Sequence, residues 1–164
     1  MAGQAKVSLR PEARSDRDLL LRVYASTRQS ELELVPWSEA DKRAFVRWQF
    51  EAQHQHYHRH YANAEYSIVL SHGVPAGRLY VARGSHELRV IDITLLPEFR
   101  GYGIGTALLL QLADEAHAAS LPLTVHVEHH NPALSLYTRL GFERVSDDGV
   151  YLLMAWRPSH VKMA

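Results

Sequence analysis

The chain has 164 residues, 46% of them hydrophobic and 22% charged, with no cysteine and a formal net charge of zero. That length suits a single domain, 1–164, with its own core. The missing cysteine excludes a disulfide framework, a thiolate metal site and a cysteine nucleophile, and a neutral chain offers no bulk field to nucleic acid or an anionic membrane.

Residues 6–10 alternate weakly and predict a first strand. Ser15 or Asp16 caps a helix to about residue 30, with Leu19, Leu20 and Val23 on its buried side. Residues 31–37 read as a loop, because Pro36 disfavours helix just before it. Ser38, with Asp41 three places on, opens a second helix to about residue 61, with Phe45, Trp48 and Ala52 on one face. Residues 66–70 and 77–82 are strands about the turn His72-Gly73-Val74-Pro75. A fourth strand, 87–95, stops at Pro97. The helix 103–119 follows, where Ile104, Leu108, Leu109, Leu112 and Ala116 recur at helical spacing. Residues 123–127 alternate as a fifth strand. Pro132 suits the first turn of a short helix ended by Gly141. Residues 143–146 and 150–156 form a hairpin about Asp147-Asp148-Gly149. The predicted order is βααβββαβαββ. Residues 1–9 lack the apolar stretch of a signal peptide and no run approaches membrane-spanning length, so a cytoplasmic setting is expected, with no membrane or nucleic-acid partner.

The strand-to-helix corner Arg100-Gly101-Tyr102-Gly103-Ile104-Gly105 carries the most chemistry. A glycine-rich turn opening a helix leaves several N–H groups unpaired and parallel, and with the helix dipole they hold phosphate. A nucleoside-triphosphate loop would need a lysine where Thr106 and Ala107 follow Gly105. A dinucleotide fingerprint would put its third glycine at Thr106, although Glu128 stands where a ribose-binding acid could be. On the residues alone that second reading stays open.

Arg100-x-x-Gly103-x-Gly105 resembles the Q/R-x-x-G-x-G/A motif of the GCN5-related N-acetyltransferase (GNAT) family. The run Ile93-Thr94-Leu95-Leu96-Pro97-Glu98-Phe99-Arg100 is similar to that family's fourth strand and phosphate turn. Asn131-Pro132-Ala133-Leu134-Ser135-Leu136-Tyr137-Thr138-Arg139-Leu140-Gly141-Phe142 resembles its Asn…Leu-Tyr-x-x-x-Gly-Phe segment, with one residue fewer between Asn131 and Tyr137 than many members have. The resemblance spans about residues 66–157. It implies a mixed α/β fold with a mostly antiparallel central sheet, splayed between strands 4 and 5. It also implies acetyl-coenzyme A as co-substrate, no metal, and an amine acceptor that is a small molecule or a peptide; dimers are usual among relatives. By the same resemblance, backbone at Ile93, Thr94 and Leu95 binds pantetheine. Arg100, Gly101, Tyr102, Gly103, Ile104, Gly105 and Thr106 bind the pyrophosphate, mostly through amides, and Asn131 either bonds the coenzyme or pins the turn. Tyr137 is the implied acid for the departing thiolate, since a phenol is protonated at neutral pH.

A base is harder to assign. Asp92 sits inside Val90-Ile91-Asp92-Ile93, where strand propensity disfavours a carboxylate, so it should face a cleft or a partner. Some aminoglycoside acetyltransferases carry an aspartate at the matching distance from the phosphate turn. Asp92 is therefore expected as a base, direct or through water, or as a structural carboxylate. His126 and Glu128, on the polar side of the fifth strand, are the alternatives. For acceptor binding, Glu31, Glu33, Trp37, Asp147 and Asp148 offer acid and aromatic groups to a cation; Glu31, Trp37, His126 and Glu128 are the expected acceptor contacts. His54, His56, His58 and His60 form two pairs four apart on the second helix. No further ligand is evident in the sequence, so a solvated face or a cleft wall is expected there. The resulting expectation is direct N-acetyl transfer to a primary amine in a ternary complex. A non-catalytic acyl-coenzyme A-binding module and a nicotinamide-dependent oxidoreductase are the alternatives.

Overall fold

A computed structural model describes residues 6–158. The ends of the expected 1–164 domain, residues 1–5 and 159–164, lie outside the described residues, as does the start of the 1–9 segment. The strands are β1 (Val7–Pro11), β2 (Glu65–Ser71), β3 (Val74–Arg83), β4 (Leu88–Leu95), β5 (Leu123–Glu128), β6 (Glu143–Asp147) and β7 (Tyr151–Trp156). The helices are α1 (Arg17–Leu32), α2 (Glu39–His60), α3 (Ile104–Ala119) and α4 (Leu134–Arg139). One seven-stranded sheet runs β1-β2-β3-β4-β5-β7-β6, antiparallel except between β4 and β5. The observed order of strands and helices is the predicted one.

The two faces of the sheet are covered differently. Under α3 and α4, Val69, Val81, Val90, Leu108, Leu112, Val125 and Met154 form the larger core. Each fully buried aliphatic side chain there contributes roughly 2 kcal/mol through burial. On the opposite face α1 and α2 pack over Ile68 through Leu20, Tyr24, Val46 and Phe50. This corrects the expected buried face of α2. Trp48 is 67% exposed, and Phe45 meets Trp37 edge-on and lies against Trp48 at a tilt on the outer side of the helix. Ala52 is exposed too. The residues 31–37 loop also begins later than expected, because α1 continues through Leu32.

Local signals explain the boundaries. Ser38 accepts a hydrogen bond from Asp41 N–H at 3.1 Å, capping α2. Asp16 stands at the start of α1 without a side-chain cap bond to it; its carboxylate instead accepts a two-pronged contact from Arg10, both bonds 2.8 Å, and the Ala13 N–H at 2.8 Å. That ties the end of β1 to the start of α1. At the end of α4, Gly141 takes φ +98°, and Phe142 N–H reaches the Tyr137 carbonyl at 3.0 Å. This left-handed closure turns Phe142 back onto Tyr137, with ring centroids 5.4 Å apart.

Candidate functional site

β4 pairs with β3 along its whole length, from Gly77↔Leu95 to Arg83↔Leu88. Against β5 it pairs at three positions, ending with Val90↔Val125. β5 continues to Glu128 alongside β7. Beyond Val90, therefore, the second edge of β4 has no partner strand among the described residues, and a cleft opens between the two strands. The cause is local: Ile91 is an extra residue between the pairs Tyr80↔Asp92 and Val81↔Val90, and such a bulge bends and twists its strand. A free edge of this kind presents N–H and C=O groups to an extended, amide-bearing ligand. Ile93 and Leu95 anchor it by packing into the larger core. Gly77 allows the close approach of β3, since a Cβ there would lie 2.1 Å from the Thr94 carbonyl oxygen.

The corner after β4 is a cradle of backbone. Pro97–Phe99 make one tight turn, and Gly101 and Gly103 take φ +84° and +81°. A Cβ at either would meet nothing within 4 Å, so the space beside both glycines is open to a ligand. The Ala107 N–H makes a helical hydrogen bond to the Gly103 carbonyl at 3.0 Å. The amides ahead of it have no intrahelical acceptor and lie at the positive end of the α3 dipole. Arg100 does not reach into the cradle. Its guanidinium donates to the Leu95 carbonyl at 2.9 Å and to Ser26 Oγ at 3.2 Å, fastening the corner to α1. A Cβ on Gly105 would lie 3.7 Å from Leu136, which places α4 beside the cradle.

Tyr137, on α4, is buried. Its hydroxyl has no hydrogen-bond partner among the described residues, and it lies within electrostatic reach of Asp92 on β4. Burial raises its pKa above the usual phenol value, and the charge of Asp92 raises it further. The group holds its proton across the neutral and mildly alkaline range.

Asp92 faces a partner, as its position in an apolar strand demands. Its Oδ2 accepts from Arg78 at 2.7 Å and from the Tyr57 hydroxyl at 3.0 Å, and its Oδ1 accepts from Thr94 Oγ1 at 2.6 Å. Arg78, on β3, is 2% exposed and also donates to Gln53 at 2.8 Å. Burial and the Asp92 charge push the Tyr57 pKa up. A carboxylate has about four acceptor sites, so Oδ1 keeps one open. Sequence reading missed Arg78, Gln53 and Tyr57. The available signal was a pair of opposite charges at the centres of two adjacent apolar strands.

A sequence model of the acetyltransferase (GNAT) family matches residues 24–142. The chain belongs to that family. Its members use acetyl-CoA and need no metal. The fold is similar to that of the PaiA N-acetyltransferase of Thermoplasma acidophilum in complex with coenzyme A, at 16% identity over 93% of this chain and 99% of that one, with a TM-score of 0.68. An acetyltransferase of Thermus thermophilus is similar at 19% identity, covering 94% and 98%, TM-score 0.66. RimJ of Mycobacterium smegmatis, in complex with CoA-disulfide, is similar at 21% identity, covering 92% and 81%, TM-score 0.60. Comparison with the curated proteins gives no match.

The remaining expected residues of this acetyltransferase are dispersed. His126 and Glu128 stand on the opposite side of β5 from Val125 and Val127, which are core. Partial burial and the neighbouring Arg89 lower the His126 pKa. Arg28 of α1 pairs with Glu31 at 3.3 Å and lies within electrostatic reach of Glu128, so one cation links the end of α1 to the end of β5. Trp37 is on the outer aromatic cluster with Phe45. Asn131 Oδ1 accepts from Ala133 N–H at 2.9 Å, pinning the turn into α4. A groove of about 790 Å³ runs between α1, α2 and the Leu96–Glu98 corner, lined in part by Ser26, Glu33, Arg43 and Arg47. Glu31, Trp37, His126 and Glu128 are not among its lining residues. Among the described residues no helix is long and apolar enough to cross a membrane.

Proposed function

We propose that this protein transfers the acetyl group of acetyl-CoA directly to a primary amine while both are bound. The observation that carries the reading is the unpaired edge of β4 running straight into a cradle of free amides, with the unpartnered Tyr137 hydroxyl beside it. In this reading the pantetheine amides lie along Ile93 to Leu95. The diphosphate takes the amides from Gly101 to Thr106, with open space at Gly101 and Gly103 for its oxygens. Arg100 holds the corner in shape rather than contacting phosphate, and Asn131 sets the approach of α4.

The amine nitrogen attacks the thioester carbon, the carbon–sulfur bond breaks, the sulfur takes the proton of Tyr137, and the nitrogen releases its surplus proton to solvent as the amide forms. The phenolate is then reprotonated from solvent. An alkyl amine in water is largely protonated, so a base must remove one proton first. Asp92 serves through a water on its remaining Oδ1 site, because Arg78, Tyr57 and Thr94 occupy the others. The pair Arg28–Glu31 with Glu128 at the mouth of the cleft suits a cationic acceptor, which can exchange with Arg28 for the carboxylates. No cysteine is present to carry an acetyl intermediate, which favours direct transfer.

Thiol release from acetyl-CoA, measured across polyamines, aminoglycosides and peptide amines, tests the assignment. Release that depends on a particular amine, with an acetyl group found by mass spectrometry on that amine's nitrogen, supports it. Tight coenzyme binding with no amine-dependent release would instead make the chain a non-catalytic acyl-CoA-binding module.

A further inference from the structure

The two histidine pairs of α2 have different surroundings. His56 and His60 lie 4.1 Å apart by ring centroid on an exposed face, where His60 Nδ1 is within 3.0 Å of the His56 carbonyl. His54 and His58 lie 4.4 Å apart toward the sheet, and Glu12, the residue after β1, joins them. One ligand atom from each of Glu12, His54 and His58 lies within 4.8 Å of the other two.

This trio has the supporting contacts that the outer pair lacks. The Tyr80 hydroxyl donates to Glu12 Oε1. Glu12 N–H is fixed to the Tyr66 carbonyl at 2.9 Å. The Tyr66 ring stacks on His58 at 4.3 Å and 13°, and Phe50 stacks on His54 at 5.7 Å and 27°. Groups that fix the orientation of ligands matter for metal affinity nearly as much as the ligands.

We propose that Glu12, His54 and His58 form a binding site for a divalent transition metal ion, Zn²⁺ foremost, with water completing the coordination. Two imidazoles and one carboxylate suit such an ion, and bond lengths of about 2.0–2.2 Å require the ligand atoms to draw together by roughly 1 Å. Side-chain rotation of residues four apart on one helix face supplies that movement. The ion would clamp the end of β1 to α2. The same helix carries Gln53 and Tyr57, which hold Arg78 and Asp92, and Tyr80 links the two sets through its ring contacts with Tyr57 and Arg78. The family reaction needs no metal, so the site is structural or regulatory, and it does not depend on the acceptor proposed above.

The test uses the full chain without an affinity tag, stripped with chelator and titrated calorimetrically with ZnCl₂, with Co²⁺ absorption as a second readout. Expected are one site per chain, a rise in melting temperature on Zn²⁺ addition, and a loss of affinity of about tenfold or more in Glu12→Gln, His54→Gln and His58→Gln. His56→Gln should bind as the wild type does. His58 is exposed, so its variant keeps the test valid if Glu12→Gln fails to fold. The proposal is overturned by no binding, by a folded Glu12→Gln that binds like wild type, or by His56→Gln weakening affinity as much as His58→Gln, which would mark adventitious capture by helix histidines.

Discussion

Arg78 Nη2 and Asp92 Oδ2 meet at 2.7 Å between neighbouring strands, with both side chains almost wholly buried. Arg78 pairs in register with Thr94, two residues beyond Asp92, so the guanidinium leans along the sheet to reach the carboxylate. The contact fixes β3 to β4 just past the bulge where the cleft begins.

Removing only one charge from this pair should be costly. Asp92→Asn leaves the Arg78 guanidinium buried and uncompensated, and a loss of about 3–5 kcal/mol is expected from urea unfolding. Combining it with Arg78→Met should recover part of that loss. At temperatures where Asp92→Asn remains folded, turnover should fall sharply while coenzyme affinity changes little. Unchanged turnover across pH would remove Asp92 from the proton path.

Tyr137→Phe should lower kcat by about 10²–10⁴-fold, the usual contribution of a positioned acid, with coenzyme affinity unchanged. The pH dependence follows from the sign of the shift. Because burial raises the Tyr137 pKa, the wild-type hydroxyl stays protonated above the usual phenol value of about 10. No alkaline fall in rate from this group is expected below about pH 10. A limb that disappears in Tyr137→Phe but lies near pH 8 would contradict the assignment.

Gly103→Ala separates the diphosphate from the rest of the coenzyme. There is room for the methyl group in the free protein, but φ +81° costs a non-glycine residue about 1–2 kcal/mol and the methyl obstructs phosphate. Acetyl-CoA should bind at least about tenfold more weakly by this reasoning. Acetyl-pantetheine, which lacks the diphosphate, should be used as well as by the wild type. Equal losses for the two would mean the glycine serves only the fold.

Asp16→Asn addresses the joint between β1 and α1. The Arg10 hydrogen bonds, and to a lesser extent Ala13 N–H, hold the Asp16 pKa below the usual carboxylate range, against an opposing contribution from burial. A lowered folded pKa stabilises above the unfolded value of about 3.9 and is lost as pH falls through the folded one. The variant should therefore be less stable than wild type by about 1.5–3 kcal/mol at pH 7, a range typical of hydrogen bonds to charged groups. The gap should narrow below about pH 4, read from denaturant midpoints across pH.

Most of the fold was legible because its punctuation is local. Pro97 stops β4, Ser38 caps α2 and Gly141 closes α4 through their own backbone preferences. The cradle was legible for the same reason: glycines and a following apolar helix are a short-range pattern. The inward face of α2 was not. Its most aromatic stripe runs through Phe45 and Trp48, whereas Val46, Phe50, Gln53, His54 and Tyr57 turn inward. Three of those five are polar because they meet Arg78, Asp92 and Glu12. Gln53 reaches Arg78 across 25 residues of chain and Tyr57 reaches Asp92 across 35, while Glu12 meets His54 from another element altogether. A hydrophobic period cannot register a polar interior that only tertiary pairing creates. Glu12 escaped notice likewise, since nothing near it in sequence announces two histidines from a distant helix.

The decisive experiment is a crystal structure with acetyl-CoA bound. The diphosphate oxygens should lie within hydrogen-bond reach of amides between Gly101 and Thr106, with pantetheine along the free edge of β4 and the sulfur next to the Tyr137 hydroxyl. Coenzyme bound elsewhere, or held there by side chains while those amides point to solvent, would contradict this arrangement.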